Sequence, residues 1–289
     1  MAYGLDTVAH RILRVPYFLF VRHKRIKLGV KKTYVFIHGL GDTSDQWASL
    51  VKKLPPDVNY IAMDLVGFGK SPKPAWAQYN AKMQARSVLR TCIAMGILGP
   101  VTVIGHSMGS LVAVEFAKRY RLSVRELVLC SPPIYDTAHG RRIKALQQNV
   151  LHKIYAESAK NPTFLLNAYA FGKKIHAVNQ SLEVTSETLP AFLASLKASI
   201  MNQDTMRLIE KIKVPITIID GQFDVLTVNK VLQDITSRHA NMTLITIPTM
   251  HVINWVYEKK ILEVLTKKAH KKEKHLQRGP KVFARGRGM

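Results

Sequence analysis

Residues 101–110, VTVIGHSMGS, decide the fold of this chain. The apolar run 101–104 predicts a buried β-strand, and a helical pattern follows from Leu111. Between them lies the pattern G-x-S-x-G, which centres on Ser107. This pattern needs a preceding strand and a following helix, because the sharp turn between them lifts the serine hydroxyl out of the sheet. The sequence therefore predicts an α/β domain with Ser107 as a nucleophile.

Strands and helices alternate on both sides of this motif. A mostly parallel sheet with helices on both faces is typical of near-continuous apolar strands that alternate with helices, and we predict that fold class. The predicted strands are 34–37, 60–63, 101–104, 127–130, 215–220 and 243–247. One predicted helix begins after Thr43, and the others cover 80–97, 111–120, 228–238 and 252–267.

The alternation stops over residues 134–212, which look helical, with breaks at Pro162 and Pro190. A helical segment inserted into an α/β sheet predicts a lid. We therefore expect a core formed by 34–133 and 213–267. The basic segment 1–33 is expected to contribute early strands, and the basic tail 268–289 is expected to be disordered because it has little apolar surface to bury.

The net charge of +24 is concentrated at the two ends. Residues 1–32 carry eight Lys or Arg and one Asp, and residues 266–289 carry nine and one Glu, so the ends hold 15 of the 24 net charges. A solvated tail with weak, non-specific contact to polyanions explains this distribution, without specific nucleic-acid binding. No apolar run reaches the ~18 residues of a transmembrane helix, and no signal-peptide core is evident. With only Cys92 and Cys130 present, we expect a cytoplasmic protein.

Five stretches together resemble the α/β-hydrolase superfamily over roughly residues 30–265. They are HGLGDTSDQW (38–47), DLVGFGKS (64–71), GHSMGS (105–110), DGQFD (220–224) and His251. A serine hydroxyl needs a base, and the base needs an acid that orients it. The family places them in the order Ser, acid, His, so the resemblance implies Asp224 as the acid and His251 as the base. Asp220 is the rival acid, but its place at a strand end favours local bonding to backbone.

The resemblance also implies an oxyanion hole made of two backbone N–H groups, those of Leu40 and Met108. His38 is expected to anchor its own loop. The sequence predicts no cofactor and no metal. GFGKS (67–71) lacks the first glycine of a phosphate-binding loop and is followed by prolines, and no Cys/His cluster has zinc spacing.

These residues predict hydrolysis of a carboxylic ester, a small molecule with an apolar acyl group, through an acyl-enzyme on Ser107. The same triad serves carbon–carbon bond hydrolases, cofactor-free haloperoxidases or perhydrolases, and acyltransferases. Val252 stands where carbon–carbon hydrolases typically have Trp after the histidine, which weakens that alternative. A non-enzymatic basic binding protein is disfavoured because every member of the triad is present.

Overall fold

The computed structural model describes residues 8–135, 155–158, 160–175 and 178–276, and its strands form one sheet. The sheet order is β1-β3-β2-β4-β5-β6-β7, in which β1 is antiparallel to β3 and all other pairs are parallel. The predicted fold class, a mostly parallel sheet within an α/β fold, is confirmed. The strands are β1 (Val21–Arg25), β2 (Thr33–Ile37), β3 (Asn59–Met63), β4 (Val101–His106), β5 (Val124–Cys130), β6 (Ile216–Gly221) and β7 (Met242–Ile247).

The central strands are buried along most of their length because both faces of the sheet are covered. In β2, Val35 and Ile37 belong to one buried cluster, whereas Tyr34 and Phe36 belong to a second cluster on the opposite face. Successive side chains of a strand point to opposite faces, so a doubly covered strand needs apolar residues at every position. The absence of polar alternation in the sequence therefore reflects two cores, one on each side of the sheet.

Helices pack on both faces. The first cluster contains side chains of α2 and α3, and the second contains side chains of α1 and α8. The helices are α1 (Ala48–Lys52), α2 (Ala81–Ala94), α3 (Met108–Arg119), α4 (Pro162–Lys174), α5 (Leu189–Ser195), α6 (Thr205–Ile209), α7 (Asn229–Arg238) and α8 (Trp255–Leu276).

The described part of the predicted lid, 134–212, contains α4, α5, α6 and a π-helical turn at Leu196–Met201. Pro162 and Pro190 stand in the first turns of α4 and α5, where a missing backbone N–H costs nothing. Residues 136–154 of the predicted lid lie outside the described residues.

Both basic ends are partly described. Within the predicted N-terminal segment, residues Val8–Ile12 form a π-helical turn and β1 pairs with β3 at the sheet edge. At the other end, α8 continues to Leu276, past its predicted end at 267, so the helix includes the start of the segment that we predicted to be a disordered tail. Lys, Glu and Leu are good helix formers, which accounts for the longer helix. Residues 277–289 of that tail lie outside the described residues. None of the helices in the described ranges is long and apolar enough to cross a membrane.

Candidate active site

Ser107 occupies a strained turn between β4 and α3. Its φ of 51° lies in the left-handed region, which a residue with a side chain rarely adopts. The flanking glycines make the turn possible. A Cβ on Gly105 would lie 2.5 Å from the carbonyl oxygen of Gly109, and one on Gly109 would lie 2.4 Å from that of Ile37. The turn therefore holds the serine at the N-terminus of α3, whose dipole favours negative charge there.

Ser107 lies at the carboxyl end of β4, where the strand order of the sheet reverses. The chain runs from β2 outward to β3 and then returns to β4 on the other side of β2, so the strand order reverses between β2 and β4. Crevices form at the carboxyl ends of strands where the order reverses. The loop after β2 closes against Ser107, since a Cβ on Gly39 would lie 3.3 Å from the Ser107 Cβ.

The loops that carry Asp224 and His251 follow neighbouring parallel strands, β6 and β7, and are bonded together. The N–H groups of Gln222 and Phe223 donate to the carbonyl oxygens of Ile247 and Thr249 at 2.8 and 3.0 Å. Gly221 permits this approach, because its Cβ would lie 2.6 Å from the Thr249 oxygen. Two residues 27 positions apart in sequence are thereby brought into contact.

The structure brings Ser107, His251 and Asp224 together in one hydrogen-bonded chain. Ser107 Oγ donates to His251 Nε2 at 2.9 Å, and His251 Nδ1 donates to Asp224 Oδ2 at 2.7 Å. The side chain of His251 is 20% exposed and that of Asp224 is fully buried. Such a chain can take the proton from the serine hydroxyl while the carboxylate holds the imidazole in the correct tautomer.

The surroundings of Asp224 favour its ionised form. Burial raises its pKa, but the hydrogen bond and charge interaction with His251, together with bonds from Ser131 and the Leu226 N–H, outweigh burial and lower the pKa overall. Asp220, the rival acid, instead accepts a hydrogen bond from Asn229 Nδ2 at 2.9 Å, and burial raises its pKa. The structure thus places Asp224 against His251 and leaves Asp220 in a local role.

Two residues behind the acid were missed by the sequence interpretation. Ser131 Oγ donates to Asp224 Oδ2, and the hydroxyl of Tyr257 donates to Ser131 Oγ at 2.6 Å. Both residues are fully buried. Ser131 has φ 44°, so the chain also turns in the left-handed region at the end of β5. The only sequence signal is a polar residue directly after a buried strand, which does not reveal its partner.

The backbone amides of Leu40 and Met108, the predicted oxyanion hole, flank this turn. Met108 is the first residue of α3, and its N–H therefore has no partner within the helix. Leu40 follows Gly39, whose backbone packs against Ser107. Within the described residues, neither amide donates a hydrogen bond to another protein group. The role of these two amides as an oxyanion hole stays a prediction.

Two buried histidines support these loops without joining the triad. His38 Nδ1 donates to the Gly39 carbonyl at 2.7 Å, and His38 Nε2 accepts from the Leu65 N–H at 2.8 Å. His106 Nε2 donates to the His251 carbonyl at 2.9 Å. Burial lowers the pKa of His38 to about 4 and that of His106 to about 3, so both are neutral at pH 7. His38 anchors its loop, and His106 ties the backbone of His251 to the nucleophile turn.

Part of the inserted segment is bonded to the loop that carries Leu40. The Glu183 N–H donates to the Gly41 carbonyl at 2.7 Å, and Asn179 Nδ2 donates to Asp42 Oδ2 at 2.7 Å. Asp42 is 1% exposed, and burial raises its pKa to about 6. Residues 179–183 are therefore hydrogen-bonded to the loop after β2.

The loops of the acid and the base also expose apolar side chains. Phe223 and Val225, on either side of Asp224, are 60% and 81% exposed, and Met250, before His251, is 58% exposed. An apolar rim of this kind suits a substrate with a hydrocarbon part. Among the described residues, no group of His, Cys, Asp and Glu side chains is arranged to hold a metal ion.

The family model for the α/β-hydrolase fold matches residues 33–256. The chain therefore belongs to the α/β-hydrolase family.

Curated relatives match over shorter stretches. A probable lysophospholipase of Arabidopsis thaliana, BODYGUARD 5, is 31% identical over 112 residues, which are 37% of this chain and 25% of the relative. An uncharacterized protein of Mycobacterium tuberculosis is 37% identical over 97 residues, 34% of this chain and 28% of the relative. The chain thus matches about a quarter of the length of these relatives.

Solved structures match over most of the chain. An esterase from Exiguobacterium antarcticum superposes with a TM-score of 0.69 at 17% identity, covering 88% of this chain and 99% of that one. A bromoperoxidase from Bacillus anthracis gives 0.67 at 21% identity, with 83% and 92% covered. At these identities the likeness shows the shared fold.

Proposed function

We propose that the protein is a serine hydrolase that cleaves carboxylic esters through an acyl-enzyme on Ser107. The observation that carries this proposal is the position of His251, which bridges Ser107 Oγ and Asp224 Oδ2 at 2.9 and 2.7 Å. A serine hydroxyl is a weak nucleophile until a base is aligned with it, and strained backbone of the kind seen at Ser107 clusters at active sites.

The reaction follows from this geometry in two halves. Ser107 Oγ attacks the carbonyl carbon of the ester while its proton passes to His251 Nε2, and the Leu40 and Met108 amides bind the oxyanion. His251 then gives the proton to the departing alcohol, which leaves an acyl group on Ser107. Water then loses a proton to His251 and attacks the acyl carbon. As the bond from that carbon to Ser107 Oγ breaks, His251 returns the proton to Ser107 Oγ and the carboxylic acid leaves.

The proposed substrate is an ester with an apolar acyl chain. The exposed Phe223, Val225 and Met250 beside the triad support this, since they offer apolar surface to a substrate. The name of the Arabidopsis relative, a probable lysophospholipase, points to the same kind of ester. A cytoplasmic location also remains a proposal, supported by the two buried, unpaired cysteines.

The test is labelling by a fluorophosphonate probe, followed by turnover of p-nitrophenyl esters from acetate to long-chain acids. We expect wild-type protein to label and kcat/KM to rise with chain length, whereas Ser107→Ala neither labels nor turns over. Ser110→Ala is the matched control, because Ser110 Oγ donates to the carbonyl oxygens of Gly105 and Cys130, whereas the ring of His251 bonds Ser107 and Asp224. Ester turnover by a folded Ser107→Ala protein would refute the proposal.

A further inference from the structure

We propose that residues 8–20 and α2 together form a docking site for the surface of an anionic phospholipid membrane. We call this surface the basic face. It shares no residue with the triad or with the predicted oxyanion hole, and it does not depend on the proposed hydrolysis. The basic face has a run of sequence without acidic residues, a cavity lined by cations and a group of exposed apolar side chains.

The charge of the basic face is uncompensated within its own sequence. Residues 7–41 and 65–114 contain no Asp or Glu, although the chain has 19 acidic residues elsewhere. In α2, Lys82, Arg86 and Arg90 follow one another at intervals of four residues and so share one side of the helix. None of these three side chains forms an ion pair within the described residues. Anionic lipid headgroups supply the missing negative charge.

A cavity of about 340 Å³ lies where the N-terminal segment meets the start of α2. Arg11, Arg14, Lys82 and Arg86 line it, with Trp76 also in the wall, and its described lining includes no acidic side chain. Arg86 is held in place because its Nη2 donates to the Arg14 carbonyl at 2.8 Å. Four cations around one cavity suit a phosphate group, whose charge and acceptor oxygens Arg and Lys both bind.

Apolar side chains stand exposed beside these cations. Ile12, Leu13, Phe18 and Ile93 are 58%, 68%, 50% and 53% exposed. A second groove, of about 540 Å³, is lined by Phe18, Leu89 and Ile93 and shares Pro16 and Arg86 with the first cavity. Cations that surround exposed aliphatic and aromatic side chains match the headgroup and acyl boundary of a bilayer. A nucleic acid would use the cations but gains little from exposed Leu and Ile, so we favour the membrane.

The direct test is co-sedimentation of the full chain with vesicles of phosphatidylcholine alone and of phosphatidylcholine mixed with phosphatidylglycerol. The variant is Arg11→Gln, Arg14→Gln and Lys82→Gln together, which spares Arg86 and its structural bond. We expect binding to the anionic vesicles to weaken roughly 100-fold, as the loss of three interfacial cations implies. Binding of both proteins to the neutral vesicles should be weak.

A control with the same loss of charge is available elsewhere on the molecule. Lys118, Lys211 and Lys213 line another basic groove, whose described lining includes no aromatic side chain. Lys118→Gln, Lys211→Gln and Lys213→Gln together should weaken vesicle binding less than threefold. Both triple variants keep the same C-terminal tail, so its attraction cancels in the comparison. An equal loss in the two variants would overturn the proposal, because binding would then follow total charge.

The apolar part is tested separately with Ile93→Ser, whose side chain is half exposed. We expect this change to weaken vesicle binding several-fold and to leave affinity for single-stranded RNA unchanged. The membrane proposal would be overturned if Ile93→Ser bound vesicles as wild type does while the Arg11, Arg14 and Lys82 variant lost RNA binding. That result would assign the basic face to nucleic acid. Thermal unfolding of each variant verifies that it is folded.

Discussion

Asp220 and Asp224 lie four residues apart, but only Asp224 meets His251. A carboxylate that accepts from His251 Nδ1 fixes the tautomer whose Nε2 can take the serine proton. We therefore expect Asp224→Asn to lower kcat/KM by roughly 10³- to 10⁴-fold. Asp220→Asn, the matched control, should cost less than tenfold, because Asp220 bonds Asn229. Steady-state ester hydrolysis measures both, and the reverse order would contradict our choice of acid.

Ser131 is a positioning residue for Asp224, since it donates to the same oxygen that accepts from His251. A hydrogen bond to a charged group contributes roughly 1.5–3 kcal/mol. We expect much of this free energy to act only in the transition state, when His251 is charged. Ser131→Ala should therefore lower kcat about tenfold and leave KM unchanged.

Tyr257→Phe is the milder companion change, because it keeps the bond from Ser131 to Asp224. We expect it to lower kcat less than threefold. An unchanged kcat in folded Ser131→Ala protein would show that Ser131 serves only to pack the end of β5.

The turn from β4 to α3 is built by its glycines. Gly109→Ala would place a Cβ 2.4 Å from the carbonyl oxygen of Ile37, which belongs to the neighbouring strand β2 and cannot move alone. We expect a loss of about 3 kcal/mol or more in the free energy of unfolding, measured by urea denaturation.

Gly99→Ala, in the loop before β4, is the control for Gly109→Ala. A Cβ at Gly99 meets nothing within 4 Å, and Gly99 does not have a positive φ. It should change the free energy of unfolding by no more than about 0.5 kcal/mol. Equal effects at the two glycines would mean that helix or loop propensity, and not the close approach of β2, sets the requirement at Gly109.

The whole molecule should lose stability in mild acid because His38 and His106 are buried in the neutral form. Their pKa values in the folded protein, about 4 and about 3, lie below the ordinary value of 6.5. Below pH 6.5 these histidines bind protons in the unfolded chain but stay neutral in the folded one. The free energy of unfolding therefore falls until the pH reaches the pKa of the folded protein. Across this window the loss in the free energy of unfolding is roughly 3 kcal/mol for His38 and roughly 5 kcal/mol for His106.

Asp42 acts in the opposite direction. Its pKa is raised to about 6, so its contribution is present below the ordinary value of 3.8 and is lost as pH rises through about 6. Asp42→Asn should therefore make the free energy of unfolding fall more steeply as the pH is lowered, whereas His38→Gln should make it fall less steeply. Urea denaturation of the three proteins between about pH 7 and about pH 5 tests both signs, and parallel curves for all three would contradict the assignment.

Several features of the protein could be predicted from the sequence because they depend on local physics. Short apolar runs flanked by turn residues predicted the strands β2 to β7, and the strand, G-x-S-x-G and helix succession predicted the turn at Ser107. The periodicity of apolar side chains and the steric limits of a tight turn act over a few residues. They can therefore be predicted from the sequence without knowledge of tertiary contacts. Asp224 and His251 were predicted only through a family resemblance, since spacing alone does not join two loops.

Other features were decided by the tertiary structure. The bond from Ser131 to Asp224 spans 93 positions in the sequence, and the one from Ser49 to Glu258 spans 209. The basic face likewise arises only when the N-terminal segment packs beside α2, with Arg86 bonded to the Arg14 carbonyl. Pairings of this kind carry no sequence signal, because their geometry depends on which strands are neighbours in the sheet. Local sequence therefore determined the nucleophile turn, whereas the packing of parallel strands determined which distant side chains surround it.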